Sequence, residues 1–377
     1  MQLVAYGAQD IYLTGNPQIT FFKVVYRSHP NFSLESIEQT SNGSVGAISS
    51  VTSTISRNGD LVYRLFYEIE KTYANGTVPD NFGAAAFDNV EVEIGGQRID
   101  RQTGKWMNIW SLLTQPNDAR LTGAKDGDAG TLFQELAVMG GCCGAAAVTG
   151  TVSASVPLQF WFCRNPGLAL PLIALQYHEV KVVTTFTAEM ASATAKLWAD
   201  YIYLDTDERR RFAQVSHEYL IEQVQFQAGA GATSSTELNF NHPVKELVWA
   251  KKGTPDADLV AGNYQLKLNG HDRFAARPRK YFTQQQVWMN HTGPGGIDVV
   301  TAGNTGGEVG AGSHSVAVYS FALKPEEHQP SGTCNFSRID NAQLTCDAAS
   351  EEARDVYAVN YNVLRIMSGM GGLAYSN

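Results

Sequence analysis

Histidines are the residues whose type and spacing could support chemistry, because two of the eight are followed directly by glutamate. A zinc hydrolase needs two histidines four residues apart on one helix face, with the glutamate as general base. Neither His178-Glu179 nor His217-Glu218 has a histidine four residues on. Both pairs lie in strand-like segments, where neighbouring side chains point to opposite faces. We interpret them as polar positions on sheet faces or at interfaces and predict no metal site.

Other catalytic patterns have no better support. The chain contains no Gly-x-Ser-x-Gly nucleophile elbow and no closely spaced His-x-His pair. The Ser-His-Ser segment at 313–315 lies at the end of a glycine-rich stretch, 291–313, whose backbone we expect to be too mobile to preorganise a site. The glycine cluster within 369–372 opens no helix, as a phosphate-binding loop must. We predict no catalytic residue, no cofactor and no enzyme.

The net charge argues against direct binding of nucleic acid. The chain carries 28 Lys and Arg against 37 Asp and Glu, a formal charge of −9. Proteins that coat nucleic acid displace its counterions with clustered basic residues. The densest basic run, Arg209 to Arg211, follows Asp205, Asp207 and Glu208, which balance it. We predict no direct nucleic-acid partner.

Cysteine usage and hydropathy indicate a protein made in the cytosol. The five cysteines are odd in number and lack metal-ligand spacing, and Cys142 and Cys143 are adjacent, which favours a reducing compartment. No apolar segment of the signal-peptide kind follows Met1. The most apolar run, Leu168 to Leu175, is too short to span a bilayer.

Short strands are the elements that must position any site in this chain. After an arm at 1–18, runs rich in β-branched and aromatic residues predict these strands: Ile19–Tyr26, Leu34–Thr40, Val51–Ser56, Leu61–Ile69, Val90–Ile94, Leu158–Cys163, Tyr177–Phe186, Leu197–Leu204, Tyr219–Gln227, Val244–Ala250, Tyr264–Leu268, Val316–Leu323 and Val356–Met367. Glycines at 59, 76, 95 and 96 predict turns with positive φ, and Asn165-Pro166-Gly167 predicts a type II turn. The stretch 105–155 reads as a long insertion with two short helices, Met107–Leu113 and Leu132–Met139.

The strand series occurs twice. The tripeptide Ile-Glu-Gln occurs at 37–39 and again at 221–223. In the same order along the chain, Gly95-Gly96 corresponds to Asn269-Gly270, and residues 200–202 correspond to 360–362. At 377 residues the chain exceeds the size at which one hydrophobic core keeps growing. Without helical crossovers the strands must be antiparallel, and two sets of about eight short strands indicate two consecutive jelly rolls. We predict an all-β chain with an N-terminal arm and first strand at 1–27, jelly roll 1 at 28–207 and jelly roll 2 at 208–377.

The charged run between the two jelly rolls supports two readings. Asp205, Asp207, Glu208, Arg209, Arg210 and Arg211 could form a solvated linker, which is how charge runs usually behave. Alternatively, bidentate arginine–carboxylate contacts could form an ion-pair network that fixes the angle between the two lobes.

Five Asn-x-Ser/Thr sequons stand at Asn31, Asn42, Asn75, Asn290 and Asn335. Chance sequons are common, and a cytosolic protein does not meet the transferase of the endoplasmic reticulum. Asn75 and Asn290 lie near predicted loops and are the candidate glycosylation sites.

Long irregular segments along the whole chain resemble the major capsid proteins of nucleocytoplasmic large DNA viruses, in particular phycodnavirus, iridovirus and mimivirus-like members. The resemblance is carried by Gly7–Asp10, Leu13–Lys23, the Val-Glu-Ile-Gly-Gly-Gln segment within 92–100 with Trp106 and Trp110, Asn165–Lys181, Asp207–Gln214, Ser331–Ala342 and Asn360–Asn377. It implies a double jelly roll whose homotrimer is a pseudo-hexameric capsomer, many copies of which tile an icosahedral shell.

The resemblance also implies partners and a location. Expected partners are further copies of the chain, minor capsid and penton proteins and, through the N-terminal arm, proteins of an internal membrane. The expected location is the virion, after assembly in the host cytoplasm. Three other interpretations stay open: a transient scaffold lattice of the same fold, a carbohydrate-binding jelly roll, and a cupin-type enzyme. The chain is short for this family, which puts large outward projections in doubt.

Overall fold

The structure is a computed structural model and describes residues 32–79, 81–115, 132–139, 147–253, 257–296, 314–348 and 350–375. The predicted arm, the strand Ile19–Tyr26, Cys142 and Cys143 lie outside these residues, as does most of the glycine-rich stretch. No helix within the described ranges is long and apolar enough to cross a membrane.

Two five-stranded sheets face each other in the first half of the chain. In chain order its elements are β1 (Phe32–Gln39), β2 (Ser41–Asn42), β3 (Ser50–Thr54), β4 (Leu61–Thr77), α1 (Phe82–Ala85), β5 (Phe87–Ile94), β6 (Gln97–Thr103), α2 (Gly104–Thr114), α3 (Leu132–Ala137), β7 (Ala147–Pro157), α4 (Trp161–Arg164), β8 (Leu170–Pro171), β9 (Val180–Phe186) and β10 (Ala193–Leu204). One sheet has the order β1-β10-β4-β7, with β8 beside β4, and the other has the order β2-β3-β9-β5-β6. All strand pairs are antiparallel. We call this unit the first sandwich.

The second half repeats the design after a short helix, α5 (Thr206–Gln214). Its elements are β11 (His217–Gln227), β12 (Ser235–Glu237), β13 (Pro243–Lys251), β14 (Asn263–Leu268), β15 (His271–Asp272), β16 (Arg277–Pro278), a π-helical turn (Tyr281–Gln285), α6 (Gln286–Asn290), β17 (Val316–Ser320), β18 (Cys334–Asn335), β19 (Ala342–Cys346), β20 (Arg354–Met367) and β21 (Met370–Leu373). The sheets have the orders β11-β20-β13-β17 and β12-β19-β14-β15. This unit, the second sandwich, has the strand order of the first, so the predicted double jelly roll is confirmed.

Alternation of apolar and polar residues explains why each sandwich closes around its own core. Along β9 the burial alternates between buried and half-buried positions, as expected of a strand with one face inward. The first core contains the Tyr67, Phe87 and Phe186 rings, whose centroids lie 5.3 to 5.9 Å apart. The second core is built around Trp249 and Phe282, with centroids 5.2 Å apart.

Several local predictions were wrong. The predicted strand at 158–163 contains the helix α4, and Pro166–Leu168 is a 3₁₀ turn in which Asn165 Oδ1 accepts from Gly167 N. Of the four glycines predicted to take positive φ, only Gly95 and Gly96 do so. The strand β7 begins inside the stretch 105–155 that reads as an insertion. The two short helices predicted there are confirmed as α2 and α3.

Candidate functional site at the junction of the two sandwiches

Helix α2 joins the two sandwiches. The Thr103 hydroxyl accepts from Trp106 N at 3.1 Å and caps the helix at its start. Met107 belongs to the first core, whereas Trp106 packs on Tyr357 of β20 with 5.2 Å between ring centroids. This second face buries a separate cluster: Trp106, Ile109, Trp110, Leu112, Leu113, Val224, Val248, Ala250, Val287, Val316, Val318, Tyr357 and Val359. The helix is therefore part of both units.

The end of α2 is closed by the second sandwich. The last carbonyls of a helix have no partner within the helix. Here Gly293 N donates to Leu113 O at 2.7 Å, and Gly295 N donates to Leu112 O at 2.9 Å. The Thr292 hydroxyl donates to Thr114 O at 2.8 Å. These bonds fix where the β16–β17 connection lies on the first sandwich.

A buried group of charges crosses the junction beside α2. Glu222 of β11 lies 2.9 Å from Arg164 of α4 and 2.8 Å from Lys245 of β13. His328 Nδ1 lies 3.7 Å from Glu222 Oε1. Burial disfavours the carboxylate of Glu222, but Arg164, His328 and Lys245 outweigh it and lower its pKa to about 2. Burial lowers the pKa of Lys245, while Glu222 opposes that shift. Arg164 also lies over the Trp110 ring at 4.8 Å.

A second buried group lies between β13 and the connections around β17. His291 Nε2 is 3.1 Å from Glu246 Oε2, and His291 Nδ1 is 3.0 Å from Glu326 Oε1. Burial disfavours the imidazolium, but the two carboxylates outweigh it and raise the pKa of His291 to about 9. Thr292 N donates to Glu326 at 3.0 Å. The charged histidine thus stabilises two carboxylates that would otherwise be costly to bury.

Asp100 lies where β6 meets β11. Val224 N donates to its Oδ1 at 3.1 Å, and Gln102 Nε2 donates to its Oδ2 at 3.2 Å. Gln223 Nε2 donates to the neighbouring carbonyl of Ile99. Burial raises the pKa of Asp100 to about 6, although the bonds from Val224 and Gln102 oppose the shift. At neutral pH the junction therefore holds a carboxylate against its preference.

The C-terminal hairpin, β20 and β21, also packs against the first sandwich. Ile221, Leu364 and Ile366 belong to the core of the first sandwich although their strands are part of the second. His178 Nδ1 accepts from Gly371 N at 3.2 Å. Each titratable group of the junction thus meets a partner inside the protein. The arrangement fixes the angle between the sandwiches.

The predicted charged run has a different environment. Asp205 Oδ1 accepts from Thr206 N at 2.7 Å as the cap of α5, and Asp207 and Glu208 lie in the first turn of this helix. Arg209 Nε lies 2.8 Å from Asp60 Oδ1 of the first sandwich. The structure brings Arg209 to Asp60 and places Arg210 and Arg211 on exposed positions of α5. An ion-pair network between the lobes stays a prediction.

The two candidate sugar sites differ in exposure. Asn75 is exposed near the end of β4. Asn290 is half-buried at the end of α6, where its Nδ2 donates to Gln286 O at 2.8 Å and to Gln286 Oε1 at 3.0 Å. Sugar attachment at either site stays a prediction, and the engaged Nδ2 of Asn290 favours Asn75.

Of the two histidines in the His-Glu pairs, His217 lies in β11, whereas His178 precedes β9 and lies outside the strands. His217 stacks between Phe212 and Tyr219 with centroids 5.4 and 6.0 Å away. His314 was expected in a mobile loop, but it is buried, and its Nδ1 lies 2.8 Å from the Thr283 hydroxyl. Within the described ranges no three His, Cys, Asp or Glu side chains are arranged to hold a metal ion.

The residues of the junction were not predicted from the sequence, although the sequence contains a pattern that points to them. Lys245 and Glu246 stand inside the apolar strand Pro243–Lys251, and charges in such a strand must be buried and paired. Glu222 is the centre of the repeated Ile-Glu-Gln tripeptide. The sequence contains this signal but does not say which partner each charge meets.

Comparisons with known proteins agree along the whole chain. Residues 20–205 match the family described as "Major capsid protein N-terminus", and residues 208–372 match "Large eukaryotic DNA virus major capsid protein". The chain is 52% identical over 398 residues to the major capsid protein of Pyramimonas orientalis virus, covering 100% of this chain and 99% of that protein. It is 42% identical over 461 residues to that of Paramecium bursaria Chlorella virus 1, with coverage of 100% and 99%.

Solved structures give the same result. The chain in the quasi-atomic model of the PBCV-1 virus capsid superposes with a TM-score of 0.78 at 36% identity, covering 95% of this chain and 100% of that one. The Faustovirus major capsid protein, at 12% identity and a TM-score of 0.67 over 96% and 94% of the two chains, shares the fold.

Proposed function

The chain belongs to the major capsid proteins of large eukaryotic DNA viruses and is a structural component of the virion capsid, and from this premise we propose that three copies form one capsomer with six sandwiches in a ring. Many such capsomers would tile an icosahedral shell. The copies would meet through heterologous contacts, which close into a ring when the rotation between copies permits it.

The observation that carries the proposal is the burial of α2 between the two sandwiches. A helix that belongs to both cores prevents the sandwiches from turning freely about the α5 connection. Two equal lobes held at one angle give three copies the outline of a hexagon with threefold symmetry. The buried ion pairs of Glu222 support the same angle, because breaking such a pair leaves a costly unpaired charge.

We further propose a structural role without catalysis. The buried charges of the junction serve packing, and membership of a structural capsid family supports the absence of an active site. We propose the division into residues 1–27, 28–207 and 208–377, in which α5 spans the boundary between the jelly rolls. Capsomer assembly would take place in the host cytoplasm.

Contacts beyond the capsomer are also proposals. Minor capsid and penton proteins are the expected partners at its rim, and the arm 1–18 would reach neighbouring capsomers or the layer on the membrane side. Deleting residues 2–16 should spare the capsomer but impair shell assembly. Loss of the capsomer itself would count against this role for the arm.

Sedimentation of the purified full chain tests the central proposal. One chain has a mass of 41.0 kDa, so the capsomer should sediment at three times that mass, about 123 kDa. Negative-stain images should show a near-hexagonal outline. A folded monomer at all accessible concentrations would contradict the proposal.

A further inference from the structure

The connections that lead into β7 and β17, the last strands of the orders β1-β10-β4-β7 and β11-β20-β13-β17, occupy equivalent places in the two sandwiches. In the first, the chain runs from β6 through α2 and α3 to β7; in the second, it runs from β16 through the π-helical turn and α6 to β17. In both, one fully buried residue of the helical segment belongs to its own core: Met107 in the first sandwich and Phe282 in the second. Tyr281 packs against the second core from a half-buried position.

The side chains around these two anchors have opposite environments. Four residues of α2 are buried against the second sandwich. They are Trp106, one position before Met107, and Ile109, Trp110 and Leu113, which lie two, three and six positions after it. The same steps from Phe282 give Tyr281, Gln284, Gln285 and Trp288. These four line one open groove of about 450 Å³ together with Arg277, Pro278 and Lys280. Trp288 is 83% exposed.

The sheets that could receive such a helix differ in the same way. The outer face of β11-β20-β13-β17 lies under α2, and its Val248 and Tyr357 are 0% and 1% exposed. The equivalent sheet, β1-β10-β4-β7, has an open outer face. Its centre is the cross-strand pair Trp198 and Phe66, both half-buried, with Trp198 Nε1 donating to Glu68 at 2.8 Å.

Charge distinguishes the helical groove from the open sheet. Among the described residues that line it, the groove has the cations Arg277 and Lys280 and no carboxylate. The open sheet face carries more carboxylates than cations: Glu38, Glu68, Glu70 and Asp200 against Arg64 and Lys196. Complementary potentials of this kind favour the correct partner and its orientation.

We propose that the groove of Tyr281, Gln284, Gln285 and Trp288, with Arg277 and Lys280, docks on the outer face of the β1-β10-β4-β7 sheet of a second copy of this chain. The contact repeats between copies what α2 does within one copy. Each copy contributes one groove and one sheet face, so the contact is heterologous and can close into a ring. This inference rests on the proposed capsomer and names its contact surfaces.

The chemistry of the groove suits a contact between separate copies. The intrachain face is built from two tryptophans, Ile109 and Leu113, which stay covered from folding onward. The groove replaces part of this set with Gln284 and Gln285, which water can solvate before assembly. Trp288 then remains the large apolar anchor, and tryptophan is enriched among the residues that dominate binding energy.

Single substitutions on each surface test the contact. Trp288→Glu places a charge opposite an acidic face, and Phe66→Glu removes the apolar centre of that face and buries a carboxylate there. Each should convert the particle of about 123 kDa into a folded monomer of 41.0 kDa in sedimentation. Ile48→Glu is the matched control: Ile48 is 78% exposed and lies between β2 and β3, on the opposite sheet, so its particle should keep its mass.

Mixing the two variants separates this contact from a symmetric one. The variant Phe66→Glu keeps its groove and Trp288→Glu keeps its sheet, so a mixture should form a dimer of twice the chain mass and no closed ring. If circular dichroism shows Phe66→Glu to be unfolded, Glu70→Lys at an exposed position of β4 replaces it.

The possible outcomes are distinct. A wild-type particle whose mass never exceeds 41.0 kDa would contradict the proposed capsomer. A wild-type trimer with a Trp288→Glu variant of unchanged mass would overturn only the assignment of the groove, as would a mixture that stays monomeric.

Discussion

The sheets β1-β10-β4-β7 and β11-β20-β13-β17 have the same strand order and opposite surroundings. The second is buried on both faces, so β13 is apolar at nearly every position except for paired charges. The first is buried on one face, so β4 alternates between buried and exposed positions. The burial pattern of a duplicated strand thus follows what covers the sheet, whereas its place in the fold stays fixed.

The repeated Ile-Glu-Gln tripeptide shows the same contrast at a single position. Glu38 is exposed and lies 3.5 Å from Lys196, whereas Glu222 is 5% exposed and meets Arg164 and Lys245. The two tripeptides lie on equivalent strands, but they pair with the neighbouring strand at different positions. Asn360 pairs with Gln223 of the tripeptide, whereas its sequence counterpart Asp200 pairs with Ser36, which precedes it.

Truncating the tryptophan on the covered sheet should have the largest effect on stability. Trp106→Ala should lower the free energy of unfolding by about 3 to 5 kcal/mol, because it leaves a cavity between α2 and Tyr357. Trp198→Ala on the open sheet should cost the monomer about 1 kcal/mol or less. Urea unfolding of both variants in the monomeric Trp288→Glu background measures the difference. Equal losses would contradict the covered-and-open distinction.

Replacing each of the two repeated glutamates by glutamine tests whether burial causes the difference between them. Glu222→Gln leaves Lys245 buried without its carboxylate and should cost about 3 kcal/mol. Glu38→Gln breaks a solvated pair and should cost about 1 kcal/mol or less. Thermal or urea unfolding at neutral pH checks both. A Glu38 variant as damaged as the Glu222 variant would show that burial is not the cause.

Asp100→Asn should stabilise the protein at pH 7 by about 1 to 3 kcal/mol. The folded pKa of Asp100, about 6, lies above the ordinary 3.8, so the folded state binds more protons between these values. Stability therefore falls as pH rises through this window and is lower at pH 7 than at pH 4 by this contribution. In Asp100→Asn that pH dependence should disappear from unfolding curves between pH 4 and 7. Asp200→Asn on the open sheet should change stability by about 0.5 kcal/mol or less.

Neutralising the basic run should have the smallest effect. Arg209 is 55% exposed in its pair with Asp60, so replacing Arg209 to Arg211 together by glutamine should cost about 1 kcal/mol or less. Sedimentation of the triple variant then tests the predicted network between the lobes. An unchanged capsomer mass would remove that network.

Strand positions and the duplication were predictable, because β-branched and aromatic runs such as Val244–Ala250 depend little on their partners. The strand β7 was not, because its Ala, Ser, Thr and Gly residues resemble a loop. Its outward positions carry Ser153 and Ser155 on the open sheet, so the alternation that marks most strands is weak there.

The junction could be predicted only in part. The apolar strand around Lys245 and Glu246 requires that both charges be paired. Their partners come from α4, β11 and the connections around β17, which only the packing of the two sandwiches brings together. The tryptophans of α2 were visible in the sequence, but nothing local shows that Trp106 faces the second sandwich and Met107 the first.

A cryo-electron microscopy reconstruction of the purified full chain, computed without imposed symmetry, tests the central claim most directly. We expect six similar lobes with threefold symmetry, α2 enclosed between the lobes of each copy, and Trp288 of each copy on the β1-β10-β4-β7 sheet of the next. A particle whose two sandwiches adopt variable angles, or a ring in which that sheet remains open to solvent, would contradict it.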